Sequence, residues 1–342
     1  MNNSLLLRSL LCAITLITTL PALQAFTPDE GFFDRWALTI PNGRAGWLEV
    51  REEDGFYDAS ILWGGGSVVP VDNAVFQDAN TLVMTRSREV DRKNSSGEVI
   101  RKQRFSSAIY ATINGNQMEL TIYEPQTSGK GINVSQFTGK RIPPLPPKPN
   151  LKKVKYGKPI ALFDGKNLNQ WEILEENAPN GWSVKNGTLT NDPVQKEGQP
   201  KVRYGNLRTK KEFEDFNLKL EVMVPEKGNS GIYLRGIYEI QVAATYGRGL
   251  DSHFMGGIYS RVTPDVLAEK PAGQWQTYDI TLVDRHATVY LNGKLIHDNV
   301  PLQGVTGGAL TSDESKPGPI YLQGDHTQAS YRNIILTPVV KN

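Results

Sequence analysis

One short period runs through most of this chain. Apolar side chains recur at every second residue in brief runs, and no stretch keeps the 3.6-residue spacing of a helix for more than about two turns. A period of two sends alternate side chains to opposite faces of an extended backbone. Such a sequence folds as sheets, and each face must then find its own partner. Residues 26–141 carry the pieces RWALTI, GWLEVRE, FYDASILWGGG, TLVMTRS and SSAIYATINGNQMELTIYE, split by turn signals. The Asn114-Gly115 pair suits a tight hairpin whose central residues need positive φ. The run Gly64–Gly66 suits a bend or bulge. A small antiparallel barrel or sandwich is expected here.

The stretch RIPPLPPKPNLKKVKYGKP follows, with five prolines between Pro143 and Pro149. Dense proline favours a stiff, extended spacer, so 142–157 reads as a linker with solvated lysines. From 158 to 342 the pattern is again all-β, in GWSVKNGTLT, FNLKLEVMV, SGIYLRG, YEIQVAA, TYDITLVD, HATVYLNGKLI, GPIYLQG and YRNIILTPV. Asn186-Gly187 and Asn292-Gly293 sit between alternating runs as hairpin turns. Strands separated by long loops fit a two-sheet jelly roll better than a barrel. One short helical turn is expected within 260–273.

Composition excludes several classes. A formal net charge of +2 over 342 residues gives no support for binding nucleic acid or an acidic membrane surface. Residues 1–25, MNNSLLLRSLLCAITLITTLPALQA, have Arg8 near the start, an apolar stretch from Leu10 to Leu20 and Ala25 as a final small residue. That reads as a secretory signal, too short for a membrane span. The single cysteine, Cys12, lies inside it, so the mature chain has no disulfide, thiol nucleophile or cysteine metal site. Export to a bacterial periplasm or the medium is expected, without membrane insertion once the signal is removed.

The stretch GNSGIYLRGIYEIQV, residues 228–242, poses the functional question. Its even positions, Ile232, Leu234, Tyr238, Ile240 and Val242, suit a core. Its odd positions are Tyr233, Arg235, Glu239 and Gln241, with Ile237 the exception. In FNLKLEVMV the same sense puts Leu218, Leu220, Val222 and Val224 inside and Lys219 and Glu221 outside. A polar outer face needs no function in an antiparallel sheet, and it equally makes the floor of a polar binding site.

These segments carry a family resemblance. PIALFDGKNLNQWE, WSVKNGTL, FEDFNLKLEVMVPEKGNSGIYLRGIYEIQV and IYLQGDHTQASYRNIIL occur in this order. Together they resemble the 3-keto-disaccharide hydrolase domain family over about residues 158–340. The resemblance implies a concanavalin A-like sandwich and a substrate that is a glycoside already oxidised to a ketone at C3 of the sugar. It also implies a glutamine and a histidine near the last strand, matched by Gln323 and His326 with Gly324 and Asp325 between. Arg332 opens the last strand, where it can instead pair with a carboxylate. His253 and Tyr259, in a glycine-rich loop, are expected to rim the groove, while His286 and His297 read as surface residues. Trp171, Trp182 and Trp275, like Trp36, Trp47 and Trp63 earlier, read as core.

A ketone at C3 acidifies the hydrogen on C2. A base can then form an enolate that expels the group on C1, and water adds back to the enone. This route needs a base, an enolate stabiliser and a proton donor to the leaving oxygen. The expected roles are Glu239 as base, Arg235 at the enolate oxygen and His326 as donor, with Gln241 and Gln323 orienting hydroxyls. Tyr233, Glu221, His253 and Tyr259 complete the expected sugar-binding set. Three alternatives stay open. Glu221 and Glu239 are a conventional glycosidase pair, Glu221 and His326 hold a divalent metal ion that polarises the ketone, or the sandwich is a non-catalytic, lectin-like binder. No HExxH spacing, phosphate loop or nucleotide fingerprint occurs. A separate, upstream sugar 3-oxidoreductase would be the pathway partner.

Overall fold

The computed structural model describes residues 27–340. The segment read as a signal peptide, with Cys12, lies outside the described residues. Nine strands precede the proline-rich stretch. They are β1 (Arg35–Thr39), β2 (Ala45–Glu53), β3 (Phe56–Trp63), β4 (Val69–Pro70), β5 (Asn73–Asp78), β6 (Thr81–Lys93), β7 (Val99–Asn114), β8 (Gln117–Pro125) and β9 (Ile132–Arg141). All join one antiparallel sheet ordered β4-β3-β2-β1-β9-β8-β7-β6-β5. Its two ends, β4 and β5, are separated in the chain only by Val71 and Asp72. The Val71 amide donates to the Ala59 carbonyl of β3 (2.9 Å), and the Asp72 amide donates to Thr85 of β6 (2.8 Å). The sheet therefore closes on itself, and closure removes the exposed edges an open sheet would leave. Of barrel and sandwich, this half is a barrel, filled by Trp36, Leu38, Leu48, Ile61, Leu82 and Met84.

The β7–β8 turn differs by one residue from the expected one. Asn114 pairs with Gln117, so Gly115 and Asn116 form the loop, and φ is positive at Gly115. Glycine first is the II′ arrangement.

Thirteen further strands follow: β10 (Ile160–Phe163), β11 (Trp171–Ile173), β12 (Trp182–Lys185), β13 (Thr188–Asn191), β14 (Leu207–Thr209), β15 (Phe216–Met223), β16 (Asn229–Leu234), β17 (Tyr238–Ala243), β18 (Gln276–Val283), β19 (His286–Leu291), β20 (Lys294–Pro301), β21 (Tyr321–Leu322) and β22 (Ala329–Pro338). One sheet of eight runs β12-β13-β22-β15-β18-β19-β20, with β10 also on β22; a sheet of five runs β11-β14-β21-β16-β17. Leu218, Leu220 and Val222 of the larger sheet share a core with Ile232, Leu234 and Ile240 of the smaller. Each such side chain contributes about 1.5–3 kcal/mol on burial. This is a concanavalin A-like jelly-roll sandwich. Asn186-Gly187 and Asn292-Gly293 both take positive φ at each residue, as type I′ hairpins require.

Three expectations change. Residues 260–273 hold turns and bends, with no helical turn. His286 and His297 are buried, at 4% and 0% exposure, instead of on the surface. The His297 Nε2 lies 2.9 Å from the Gly256 carbonyl, and burial pushes its pKa down, which keeps the ring a neutral donor. The proline-rich stretch is tied down along the sandwich. The Pro143 carbonyl accepts from Arg285 (2.8 Å) and that of Pro149 from Asn299 (2.9 Å).

Barrel and sandwich are bonded together. On β2, Leu48 and Val50 face the barrel interior while Ala45 and Trp47 join the sandwich core. The Arg261 guanidinium lies 4.0 Å over the Trp47 ring. The Gly46 amide donates to Ser312 Oγ (2.9 Å), which donates to the Leu38 carbonyl (2.6 Å).

Candidate active site

Strands β16 and β17 set Tyr233 opposite Glu239 and Gly231 opposite Gln241. The even-numbered residues enter the sandwich core, so Tyr233, Glu239 and Gln241 share the outer face of the five-stranded sheet. Arg235 does not. It falls in the hairpin turn with Gly236, at φ 54° and 69°, and left-handed backbone there breaks the strand alternation. Its buried guanidinium donates to the carbonyls of Glu314 (2.7 Å) and Lys316 (Nε, 3.0 Å). Arg235 therefore braces the 314–316 segment and does not line the groove expected of an enolate stabiliser.

Glu239 is 3% exposed. Space for its carboxyl comes from Gly231, where a Cβ would overlap Oε1 of Glu239. The Tyr233 hydroxyl lies 2.8 Å from Oε2 of Glu239 and 2.7 Å from the Gly307 carbonyl. A carbonyl can only accept, and a phenol has one proton. When Tyr233 serves Gly307, the contact to Glu239 needs a proton on the carboxyl. Burial acts in the same direction. It pushes the Glu239 pKa up to about 8, opposed by the Tyr233 hydrogen bond and helped by the charge of Asp325. The Tyr321 ring stacks on Tyr233 with centroids 4.1 Å apart, and burial raises its phenol well above the usual value.

A cavity of about 940 Å³ opens over this face. Tyr233, Glu239, Gln241, Tyr321 and Gln323 form its floor. Oε1 of Gln323 is buried without a hydrogen-bond partner, an acceptor left for a ligand. At one side His326 Nδ1 lies 2.6 Å from Asp325 Oδ1, and Arg203 donates to Asp325 Oδ2 (3.1 Å). Burial would raise the Asp325 pKa, but the His326 hydrogen bond and charge, with Arg203, hold it below the usual carboxylate range. An ionised Asp325 accepts the Nδ1 proton, leaving Nε2 of His326 to meet a ligand.

His253 and Tyr259 also line the cavity, with their rings edge to face at 5.0 Å. His253 Nδ1 lies 2.7 Å from Asp251 Oδ1, and Nε2 lies 2.9 Å from Ser67 Oγ of the barrel. Gln241 Nε2 donates to the His253 carbonyl (3.2 Å). Arg44 and Gly64–Gly66 of the barrel close the remaining side.

Glu221 lies elsewhere. It projects from β15 in the eight-stranded sheet, where Oε2 accepts from Arg332 (Nε 3.0 Å, Nη2 2.6 Å) and Oε1 from Asn333 (2.7 Å). It does not line the cavity, so it neither binds the sugar there nor faces Glu239 as a second carboxylate. It also does not meet His326, so that proposed cation pair is not assembled. Among the described residues no group of three or more His, Cys, Asp or Glu side chains converges.

The structure adds residues that the sequence reading passed over. Tyr321 has the same parity as Gln323, but β21 is only two residues long and shows no alternation. Asp325 stands beside His326, and the adjacency was its only signal. Arg44 and Gly64–Gly66 reach the cavity solely through the docking of barrel on sandwich, which leaves no local trace.

A structure from Parabacteroides distasonis, described as that of a proposed glycosyl hydrolase, is 30% identical over 58% of this chain and 93% of its own, with a TM-score of 0.42. A Bacillus licheniformis β-glucanase is 13% identical over 55% and 98%, with a TM-score of 0.35. The carbohydrate-binding module CBM66 from Bacillus subtilis is 14% identical over 48% and 93%, with a TM-score of 0.30. No curated protein matches the chain. A family profile, the 3-keto-alpha-glucoside-1,2-lyase-like domain, matches residues 158–337, more than half of the chain. The chain belongs to the 3-keto-alpha-glucoside-1,2-lyase-like domain family and is a carbohydrate-active enzyme.

Proposed function

We propose that the protein is an exported bacterial enzyme that cleaves 3-keto-glycosides by elimination across C1 and C2, followed by hydration. One observation carries this reading: the cavity floor holds a single carboxyl, Glu239, that is buried, tuned to hold a proton, and free of any cation. The other lining carboxylates are occupied. Both Glu175 oxygens accept from Asn206 (2.7 Å each), and Asp325 is shared between His326 and Arg203. A conventional glycosidase needs two working carboxylates across the bond, whereas elimination needs one base.

In this scheme ionised Glu239 takes the C2 proton. The C–H electrons move to the C3 oxygen as an enolate, then return as the C1–O bond breaks and the C1–C2 double bond forms. His326, protonated and held by Asp325, gives its Nε2 proton to the leaving oxygen. A base whose carboxylate is destabilised by burial is a stronger base than an exposed one. The neutral phenol of Tyr321 and the amide of Gln323 hydrogen-bond the keto sugar, with the Tyr321 O–H facing the charge that develops on O3. The ketone itself must come from a separate sugar 3-oxidoreductase.

The decisive experiment incubates purified protein with 3-keto and unoxidised forms of one disaccharide in deuterium oxide. Cleavage of the oxidised form alone, with deuterium appearing at C2, supports elimination. Cleavage of the plain sugar means a conventional glycosidase, and binding without cleavage means a lectin. Export is checked separately by fractionating cells that express the full chain.

A further inference from the structure

We infer that the barrel is a working part of the active site: Ser67 is a positioning residue that fixes the His253 ring against the substrate, and the Arg44 and Gly64–Gly66 wall bounds the sugar cavity. The inference deepens the proposed function and rests on it for the substrate class, a 3-keto-disaccharide. All the barrel residues concerned lie outside residues 158–337, the segment that the family profile matches.

The row Ser67, His253, Asp251 has the order of a nucleophilic triad, at 2.9 Å and 2.7 Å. Its orientation argues for another role. His253 lines the cavity and Ser67 does not, so the hydroxyl stands behind the imidazole. Asp251 accepts the Nδ1 proton, and its carboxylate is held below the usual range by the His253 amide and ring. The neutral ring then has a lone pair on Nε2, which the Ser67 hydroxyl satisfies. An imidazole with both nitrogens occupied cannot rotate freely. The held ring stands at 83° to that of Tyr259, both line the cavity, and a pyranose ring can seat in such a right-angled corner.

A second line of contact runs from the barrel toward Glu239. The Gly64 carbonyl accepts from the Gly308 amide (3.2 Å), and a Cβ on Gly307 would overlap the Gly66 carbonyl. The same Gly307 supplies the carbonyl bonded to Tyr233, the neighbour of Glu239. The glycine run is thus the close-fitting surface on which the 306–308 loop rests. A side chain on Gly307 would lift that loop from its place.

The test compares wild type, S67A and S67T. Removing one orienting hydrogen bond is expected to raise KM for the 3-keto-disaccharide about fivefold, with kcat and the melting temperature little changed. S67T keeps the hydroxyl and is expected to restore KM. In parallel, proton NMR titration of the imidazoles should move the His253 midpoint in S67A while leaving that of His326 in place. An S67A enzyme with wild-type KM and an unmoved His253 titration overturns the inference. So does covalent labelling of Ser67 by a fluorophosphonate, which would make it a nucleophile. If wild type turns over no 3-keto-glycoside, the proposed function fails, and the NMR titration alone then decides the role of Ser67.

Discussion

Strands β15 and β17 carry the same alternation and end in opposite surroundings. On β15 the residues facing away from the core, Lys219 and Glu221, meet solvent and pair with Asp279 (3.0 Å) and Arg332 (2.6 Å). On β17 the corresponding Glu239 and Gln241 lie beneath the 306–308 loop, the 253–259 loop and the barrel, and both are nearly inaccessible. Period two decides which side chains share a face. It does not decide what covers that face. The covering layer turns one glutamate into an ordinary surface ion-pair partner and the other into a carboxyl that prefers its proton. Water accounts for the contrast: Glu221 keeps two hydrogen-bonding partners and some solvent, whereas Glu239 keeps one phenol.

The largest expected effect tests this contrast directly. E239Q should lower kcat by at least about 10³-fold, since it removes the base and keeps the shape. E221Q should leave turnover within about twofold, as for a surface substitution remote from the chemistry. Steady-state kinetics on a 3-keto-disaccharide measures both, and equal losses would erase the distinction between the sheets. Because Glu239 must be ionised while His326 still carries its proton, kcat/KM should pass through a maximum in pH, with one limb set by Glu239 near 8. E239Q should lose that limb, and a residual profile that keeps it would remove Glu239 from the chemistry.

Arg235 comes next. Its three donations to the Glu314 and Lys316 carbonyls make it a brace. R235A leaves the buried Glu314 carbonyl without its donor and a cavity beside it, so it should cost about 2–4 kcal/mol in urea unfolding. Activity per folded molecule should persist. A catalytic arginine would show the reverse, full stability with lost turnover.

How much was legible follows from the same comparison. The two all-β halves were readable because alternation and the Asn-Gly turns are local properties of the chain. Tyr233, Glu239 and Gln241 share the cavity face because alternation on β16 and β17 puts them on one side of the sheet, whereas Gln323 and His326 are named by the family resemblance and by no pattern of their own. Arg235 leaves the groove because two left-handed residues, Arg235 and Gly236, break the phase; Gly236 signals a turn, but residue type does not say that Arg235 belongs to it. Glu221 was misassigned because parity does not say which of two sheets has a cover. The buried histidines His286 and His297 failed for a related reason: the hairpin they flank is overlain by chain from elsewhere, through the Gly256 carbonyl and the proline-rich stretch. Ser67 was beyond reach, since its partner His253 lies 186 residues further along the chain.

The pH dependence of stability is the most discriminating comparison, because the two glutamates should respond to pH with opposite signs. Glu239 has its pKa raised in the fold, from an ordinary 4.5 to about 8. The folded state then binds the proton more tightly than the unfolded chain. Its contribution to stability is complete below about pH 4.5 and is lost as pH rises through 8. E239Q, always neutral, should therefore gain on wild type in denaturation midpoint as the buffer becomes alkaline. For Glu221 the hydrogen bonds from Arg332 and Asn333 overcome a burial effect that would raise its pKa, and hold it below the usual value. Its contribution is present above the unfolded pKa and disappears as pH falls through the folded one. E221Q should thus cost no more than about 1 kcal/mol near neutrality, the usual scale for a partly solvated pair, and nothing in strong acid. Midpoints of the three proteins across acid, neutral and alkaline buffers give the comparison. If both variants drift from wild type in the same direction, the covering layer does not control the charge of the outer face, and the contrast between the two sheets loses its physical basis.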